Sequence, residues 1–383
     1  MSVRLLFDIP DDLFQALIFS FMTLLDIITL DNAVLNQRDR VSILSKYEKM
    51  LWRHPINIDK YSDITRWMRS RGIIPVNLCI FNKVVRTDDH TASLLMYCTT
   101  HLKRLNMRNI VDCDESDKIF SHLSTFSLGI TSLDLYHVFL NNEIVQWMLR
   151  SCKCLDKLTI QSCSLRNEIA MVESCTSLKF LSFCDTSTLT DRSFRSLIKC
   201  CPNLRSLNIQ NCHQLTNEAW RLIGEHCPQL TSINLSINVF YDFVGNYFLP
   251  NTGPEDINAA VLDVVKRCLL LEQINLGGLR IDEGTMKSIV TTSMSLRHLD
   301  LSDCPRVSDE VIRFIAEHSS RLVSIQFRTC FNNIHLDHRA FLYLLQCCHS
   351  LRALNIDRCP DIDVEFKRYL QAQLWKREHD IDD

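Results

Sequence analysis

Cysteine and histidine are the residue types in this 383-residue chain that could bind a metal or serve as nucleophile and base, since it holds 18 cysteines and 13 histidines. Zinc sites commonly space cysteines as Cys-x-x-Cys, or combine them with regularly spaced histidines, and neither pattern occurs in the sequence. A nucleophilic cysteine needs a base and an electropositive setting. Adjacent pairs such as Cys212-His213 and His226-Cys227 supply only sequence neighbours. We therefore expect no catalytic residue, no metal and no cofactor.

Other chemical signatures are equally weak. The sequence shows no paired carboxylates or triad for catalysis, and its 8 glycines include no Gly-x-Gly-x-x-Gly or Walker loop, the usual sign of a nucleotide site. The formal net charge is −3, with 42 Lys and Arg against 45 Asp and Glu. A nucleic-acid-binding protein would carry a plain basic footprint. The composition therefore favours neither an enzyme nor a nucleic-acid partner.

The positions of the cysteines indicate packing, because most of them recur at two places of an internal repeat. Ser293 and Ser319 replace cysteine at the second place in two units, so this place accepts any small residue and does not require half of a disulfide. A buried reduced cysteine behaves as a small hydrophobic residue. We therefore predict reduced thiols, and with them a cytoplasmic or nuclear location. The first place holds Cys163, Cys212, Cys304, Cys330 and Cys359, and the second holds Cys152, Cys175, Cys201, Cys227, Cys268 and Cys348.

The repeat that contains these cysteines is the phrase Leu-x-x-Leu-x-Leu, seen at Leu204–Ile209, Leu296–Leu301 and Leu351–Ile356. Its first apolar position recurs in steps of 28, 25, 23, 26, 26, 41, 25, 26 and 29 residues. A period in this range is typical of solenoid proteins. The sequence predicts about eleven units of ~26 residues over 75–375, and a solenoid offers long open surfaces in place of a deep pocket.

Each unit should contain one strand and one helix. The leucine phrase alternates as a strand does, and the residues after it follow a helical period. In one unit Thr216 or Asn217 can cap a helix that places Trp220 and Ile223 on one side. Stacked units of this kind bury a continuous core that a single unit cannot hide. The prediction is an α/β fold with parallel strands inside and helices outside.

The spacing, the strand phrase and the cysteine together resemble the cysteine-containing leucine-rich repeats of F-box proteins, within the ribonuclease-inhibitor-like (RNI-like) superfamily. This resemblance covers roughly 300 of the 383 residues. It implies a right-handed leucine-rich-repeat solenoid, or horseshoe, with a partner on its concave face. A helix at Val364–Trp375 should close the array, followed by a charged tail at 376–383.

The first 50 residues read as helices and resemble an F-box. Ile9 and Pro10 match its entry dipeptide, and Leu13, Leu17 and Ile18 match its apolar positions. The later Asp26-Ile27 pair fits only with one extra residue, and Ala33–Gln37 lacks the tryptophan of the family pattern. The resemblance implies that these residues bind the Skp adaptor. The alternative is a helical cap over the first repeat, and the segment 51–74 would join box and repeats in either case.

In that family the box binds the Skp adaptor of a cullin ubiquitin ligase, and the repeats hold a protein substrate. The resemblance implies that this chain is a substrate-recognition subunit, monomeric within a hetero-complex. The alternative is a leucine-rich-repeat scaffold or inhibitor without a ligase. Neither a secretory signal nor a membrane span is expected, because polar residues interrupt the short apolar stretch Leu13–Leu25.

Candidate contact residues fall in three groups, each of which could equally be a solvated or self-packed surface. Arginine and aromatic side chains dominate binding energy at interfaces, and an insertion in one repeat often marks a binding face. The unit between Leu230 and Leu271 carries such an insertion at about 237–256. The first concave group is Phe81, Arg104, Arg108 and Tyr136; the second is His298, Asp300 and Arg328; the insertion group is Phe240, Tyr241, Phe243, Tyr247 and Phe248.

Overall fold

The structure is a computed structural model that falls into two compact units, Met1–Leu155 and Asp156–Asp383. The F-box-like residues of the first 50, including Ile9, Pro10, Leu13, Leu17 and Ile18, lie outside the described part of the chain. The residues described are 51–52, 56–58, 74–81, 101–111, 117, 119–120, 129–165, 176–237, 240–241, 247–248, 257–329, 336–359 and 362–379.

The first unit is built on parallel strands. Strand β1 (Leu51–Trp52) pairs in parallel with β3 (Ile74–Pro75). A second parallel sheet has the order β2 (Ile56–Ile58), β4 (Asn77–Phe81), β5 (Arg104–Arg108) and β6 (Ser132–Tyr136). After β7 (Phe139–Leu140) comes helix α1 (Asn142–Ser151), whose N-cap is Asn141. The parallel sheet of this unit thus begins at β2, within the segment assigned above to the adaptor.

The second unit repeats one strand after another in a single parallel sheet. Its order is β8 (Lys157–Gln161), β10 (Phe180–Ser182), β11 (Ser206–Asn208), β12 (Ser232–Asn234), β15 (Gln273–Asn275), β16 (His298–Asp300), β17 (Ser324–Gln326) and β18 (Ala353–Asn355). The short strands β9 (Ser164–Leu165), β13 (Phe240–Tyr241) and β14 (Tyr247–Phe248) lie outside this sheet. The predicted α/β class with a long parallel sheet is therefore confirmed.

Helices join most of these strands and pack against one another in chain order. A parallel pair of strands needs a crossover connection, and the helices supply it. Side-chain oxygens cap them as the sequence predicts: Thr216 accepts a hydrogen bond from the Glu218 N–H at the start of α3. The helices are α2 (Asp191–Ile198), α3 (Asn217–His226), α4 (Ile257–Arg267), α5 (Glu283–Thr292), α6 (Asp309–His318), α7 (His338–Cys347) and α8 (Val364–Glu378).

The core of the second unit lies between the sheet and the helices. In the three-residue strands from β10 to β17 that make up this sheet, the middle residue faces inward, as Leu207, Ile233 and Leu299 show, with at most 3% exposure. Each stands directly opposite its equivalent on the next strand, for example Leu207 opposite Ile233. Burial of such a side chain contributes roughly 1.5–3 kcal/mol. Because the strand phrase alternates, the residues flanking the middle one face away from the core.

A sharp corner follows each strand at a constant repeat position. One residue there adopts a left-handed backbone with φ between 50° and 77°, a region that Asn, Asp and Gly tolerate better than other residues. The residues are Asn109, His137, Ser162, Asp185, Asn211, Gly278, Asp303, Thr329 and Arg358. Ile237, at the equivalent position after β12, is not among the described residues with positive φ, and the insertion begins there.

The insertion leaves the sheet intact. Strands β12 and β15 pair in register across it, with Ser232 opposite Gln273 and Asn234 opposite Asn275. The insertion itself contains the antiparallel pair β13–β14, in which Phe240 stands opposite Phe248 and Tyr241 opposite Tyr247. Among the described helices, none combines the length and the apolar character needed to cross a membrane.

Candidate protein-binding surfaces

The first predicted contact group lies on the outward face of the sheet in the first unit. The Arg108 guanidinium sits 4.6 Å from the centre of the Tyr136 ring, and its Nε donates a 3.0 Å hydrogen bond to Asn106 Oδ1. This contact holds the guanidinium over the ring. Arg104, at the other end of the same strand, is exposed. Phe81 ends the neighbouring strand with its Cα opposite Arg108, and its side chain is outside the description.

The second predicted group is divided by the structure. His298 and Asp300 stand on β16 and line an open groove of about 250 Å³ on the strand face. Arg328 follows β17, is exposed and does not line this groove. The groove floor is formed by Ser232, Asn234, Gln273, Asn275, His298, Asp300, Ser324 and Gln326, with Ile233, Ile274 and Leu299 beneath them.

The asparagine and aspartate side chains in this floor have a structural task that the sequence did not reveal. Asn234 Oδ1 accepts a hydrogen bond from the Ser236 N–H at 3.0 Å, and Asn275 Oδ1 accepts one from the Gly277 N–H at 2.9 Å. Asp300 Oδ1 accepts the Ser302 N–H at 2.9 Å in the same way. Each such bond stabilises the corner after the strand. The bond also fixes the other polar atom of each carboxamide or carboxylate, which lies on the side of the groove.

The groove continues toward the last helix. A second cavity of about 370 Å³ shares Ser324 and Gln326 with the first. Its wall includes Leu374 and Trp375 of α8, with Arg352 of the last repeat. Trp375 is 54% exposed. The sequence predicts this helix as a closing element, and nothing in the helical pattern shows that its indole borders the strand face.

The insertion group is described only by its backbone. Phe240, Tyr241, Tyr247 and Phe248 form the short antiparallel pair β13–β14, and Phe243 lies outside the described residues. Aromatic residues at paired hairpin positions stabilise such a pair. Their role as contact residues stays a prediction.

The cysteines make packing contacts between successive repeats. Cys212 Sγ donates to the Phe183 carbonyl oxygen at 2.7 Å, and Cys304 Sγ donates to the Leu276 carbonyl oxygen at 3.3 Å. At the helix end of the repeat, Cys268 Sγ donates to the Cys227 carbonyl oxygen at 3.5 Å. These thiols therefore link each repeat to the previous one.

Burial keeps these thiols protonated. It raises the pKa of Cys212 and of Cys227 to about 12, and it raises the pKa of Cys304 as well. A thiolate is the form that attacks an electrophile or binds a metal, so these thiols are poor nucleophiles and poor ligands. The described residues contain no group of three or more His, Cys, Asp and Glu side chains placed to hold a metal ion.

Comparison with known proteins gives limited similarity. No protein-family model matches the chain, and no curated protein matches it. Among solved structures, it is similar to a chain of the "Crystal structure of Rad7 and Elc1 complex in yeast". The TM-score is 0.44 and the sequence identity is 18%, over 77% of this chain and 67% of that chain.

Proposed function

We propose that this chain is the non-catalytic substrate-recognition subunit of a Skp–cullin–F-box (SCF) type ubiquitin ligase. In this proposal an F-box at 1–50 binds the Skp adaptor, and a right-handed leucine-rich-repeat horseshoe of about eleven units holds a protein substrate on its strand face. The observation that carries the proposal is the order of the chain. An F-box-like motif beginning at Ile9-Pro10 precedes a parallel repeat sheet with an open polar groove.

The proposed mechanism requires no chemistry from this chain. A subunit that binds adaptor and substrate together converts ubiquitin transfer into a reaction between neighbours at high effective concentration. The protonated state of the buried thiols Cys212 and Cys227 supports a structural rather than catalytic role for them. The open shape of the groove suits an extended protein segment better than a small molecule, which binds in enclosed apolar pockets.

Pull-down of purified Skp adaptor with the full chain tests the adaptor half of the proposal. The double variant Pro10→Ala with Leu13→Ala should abolish binding, because both residues match the apolar entry of the box. The matched control is Gln15→Ala with Ser20→Ala, which changes polar residues of the same segment. Absence of wild-type binding, with circular dichroism showing a folded chain, would refute the ligase assignment.

The second candidate function is a repeat scaffold or inhibitor that binds a protein without a ligase. The departures of Asp26-Ile27 and Ala33–Gln37 from the F-box pattern favour it. Binding of the Skp adaptor separates the two functions, since only the first requires it. Both functions use the same strand face.

We place the complex in the cytoplasm or nucleus, because reducing compartments preserve thiols. Cys212, Cys227 and Cys304 are buried as free thiols. Thiol counting on the denatured, unreduced protein should find most of the 18 cysteines reactive. Extensive pairing would contradict this location.

A further inference from the structure

We infer that the groove between β12 and α8 binds an extended protein segment that carries a lysine or arginine and, three or more residues away, a large apolar side chain. The basic group would lie on Asp300 and the apolar group on Trp375. This inference deepens the proposed function by naming the chemistry of the substrate, and it rests on the strand face being the substrate site.

The groove floor is ordered before any partner arrives. Residues on neighbouring strands stand in register, with Asn275 opposite Asp300 and Asp300 opposite Gln326. The bonds from Asn275 Oδ1 and Asp300 Oδ1 to backbone N–H groups fix these side chains. With its oxygen occupied, the Asn275 carboxamide presents its N–H groups to the groove. Such donors suit the carbonyl oxygens of an extended backbone, and prior ordering lowers the entropy cost of binding.

The charge of the groove floor favours a basic residue in the bound segment. Among the described residues that line the first cavity, Asp300 supplies the carboxylate, and the lining includes no lysine or arginine. One Asp300 oxygen accepts the Ser302 N–H, which leaves the second to accept from a ligand. A partly buried carboxylate favours a cationic donor over a neutral one, because charge-assisted hydrogen bonds are the stronger class.

The α8 end of the groove favours a large apolar residue in the bound segment. Trp375 presents 54% of its surface, with buried Leu374 and the Ala353 methyl group in the same lining. The indole stacks on the His379 ring, with 4.4 Å between the ring centroids, and its exposed part is the kind of anchor that dominates binding energy once it is covered. The nearby Arg352 Nη1 already donates to the His349 carbonyl oxygen at 2.9 Å, so its guanidinium is held by the loop before β18.

The distance between the two features sets the spacing in the ligand. Adjacent strands lie ~4.8 Å apart, so β16 and β18 are separated by roughly 10 Å, and Trp375 lies on α8 at the β18 end of the groove. An extended chain advances ~3.3 Å per residue, so at least about three residues are needed to reach from Asp300 to this end. The structure favours a basic residue and a large apolar residue three or more positions apart.

Fluorescence polarisation with synthetic peptides tests the inference on the full chain. The probe is a nine-residue, fluorescein-labelled peptide of Ser, Gly and Gln with one Lys and, three positions later, one Phe. Matched peptides carry Glu for Lys, Ala for Phe, or both residues adjacent. We expect the Lys–Phe peptide at spacing three to bind at least about tenfold more tightly than the Glu peptide.

Two variants locate the binding site. Asp300→Asn removes the charge and preserves the corner, since Asn234, Asn275 and Asn355 make the same bond natively. It should weaken the Lys peptide about tenfold and erase the preference over Glu. Trp375→Ala should weaken the Phe peptide about tenfold. The controls Asp303→Asn and Tyr369→Ala, outside both cavity linings, should leave binding unchanged.

The outcomes separate this inference from the proposed function. Equal binding of Lys and Glu peptides, unchanged binding by Asp300→Asn, or no binding of any peptide would overturn the inference. Any of these results with intact Skp pull-down would leave the ligase assignment standing. Selective peptide binding without Skp binding would support the groove and refute the ligase.

Discussion

The repeat from β11 to α3 and the repeat from β12 to α4 share the same strand phrase. The path of the chain after the strand differs between them. After β11, Asn208 Oδ1 accepts the Gln210 N–H, Asn211 takes φ 57°, and Cys212 bonds back to Phe183. After β12 the Asn234 bond is kept. The left-handed position then holds Ile237, no cysteine follows at the usual place, and the insertion begins.

The difference shows which parts of the repeat hold the sheet together. The interrupted repeat retains the buried strand centre at Ile233, its in-register partners on both sides, and the thiol contact from Cys268 to the Cys227 carbonyl. It lacks the left-handed corner and the cysteine that usually follows it. Thr329 is the one β-branched residue at a described left-handed corner, and the bulkier Ile237 is disfavoured there; after β12 the chain takes a longer route between the strand and the next helix. The strand centre and the helix end set the register, and the corner is replaceable.

The strand centres should therefore be equally costly to truncate in both repeats. Leu207→Ala and Ile233→Ala each remove a side chain that is 1–2% exposed. Each should lower the free energy of unfolding by about 2–5 kcal/mol, the usual cost of such a cavity. Urea unfolding followed by circular dichroism measures both, with exposed Gln214→Ala as the neutral control. A loss of unfolding free energy below roughly 1 kcal/mol for Ile233→Ala alone would show that the insertion loosens the core.

Exchanging the corner residues of the two repeats should have unequal effects on stability. Asn211→Ile places a β-branched side chain at φ 57° and should cost about 2 kcal/mol. Ile237→Asn should change stability by less than about 0.5 kcal/mol, because no left-handed backbone depends on it.

The Asn211 side chain also donates to Asp185 Oδ1, so Asn211→Gly serves as the control. Glycine accepts the left-handed backbone and removes the side chain together with that bond. If Asn211→Gly costs as much as Asn211→Ile, loss of the side-chain contacts and not the backbone explains the effect. Thermal unfolding of the three variants beside the wild type decides this.

The corner thiol should make the regular repeat sensitive to alkali. The pKa of Cys212 rises from an ordinary 9.0 to about 12 in the folded chain, so between these values the unfolded chain releases a proton that the folded chain keeps. Stability is complete below pH 9 and falls as pH rises toward 12. The slope for one fully buried thiol is about 1.4 kcal/mol per pH unit.

Comparison of the wild type with Cys212→Ala isolates this contribution. Urea unfolding at pH 8 and pH 10 should show a smaller alkaline loss in the variant, by about 1 kcal/mol. Cys154→Ala is the control, since Cys154 is exposed. Identical alkaline losses in the wild type and Cys212→Ala would mean that this thiol ionises in the folded chain.

The strand and helix order followed from local pattern, and the roles of surface residues did not. Thr216 as N-cap and the buried side of α3 could be predicted because period and capping residues are local features. Alternation also shows that Asn275 and Asp300 face outward. It cannot show that one oxygen of each is bound to the backbone two residues later, since the corner geometry is needed for that. The neighbourhood of Trp375 and Gln326 depends on packing across repeats.

Removal of the whole insertion should also have only a small effect on stability. Deletion of 239–252 should change the free energy of unfolding by less than about 1 kcal/mol, because halving a loop alters its closure entropy by only ~0.6 kcal/mol and β12 already pairs with β15. The control keeps the length and replaces the five aromatic residues by serine: Phe240, Tyr241, Phe243, Tyr247 and Phe248. If both variants are stable but lose a protein partner, the aromatics are contact residues. If the free energy of unfolding of both variants falls by ~3–5 kcal/mol, the usual cost of truncating a buried aromatic residue, the aromatics pack on their own repeats. The corner would then be less replaceable than the continuous sheet indicates.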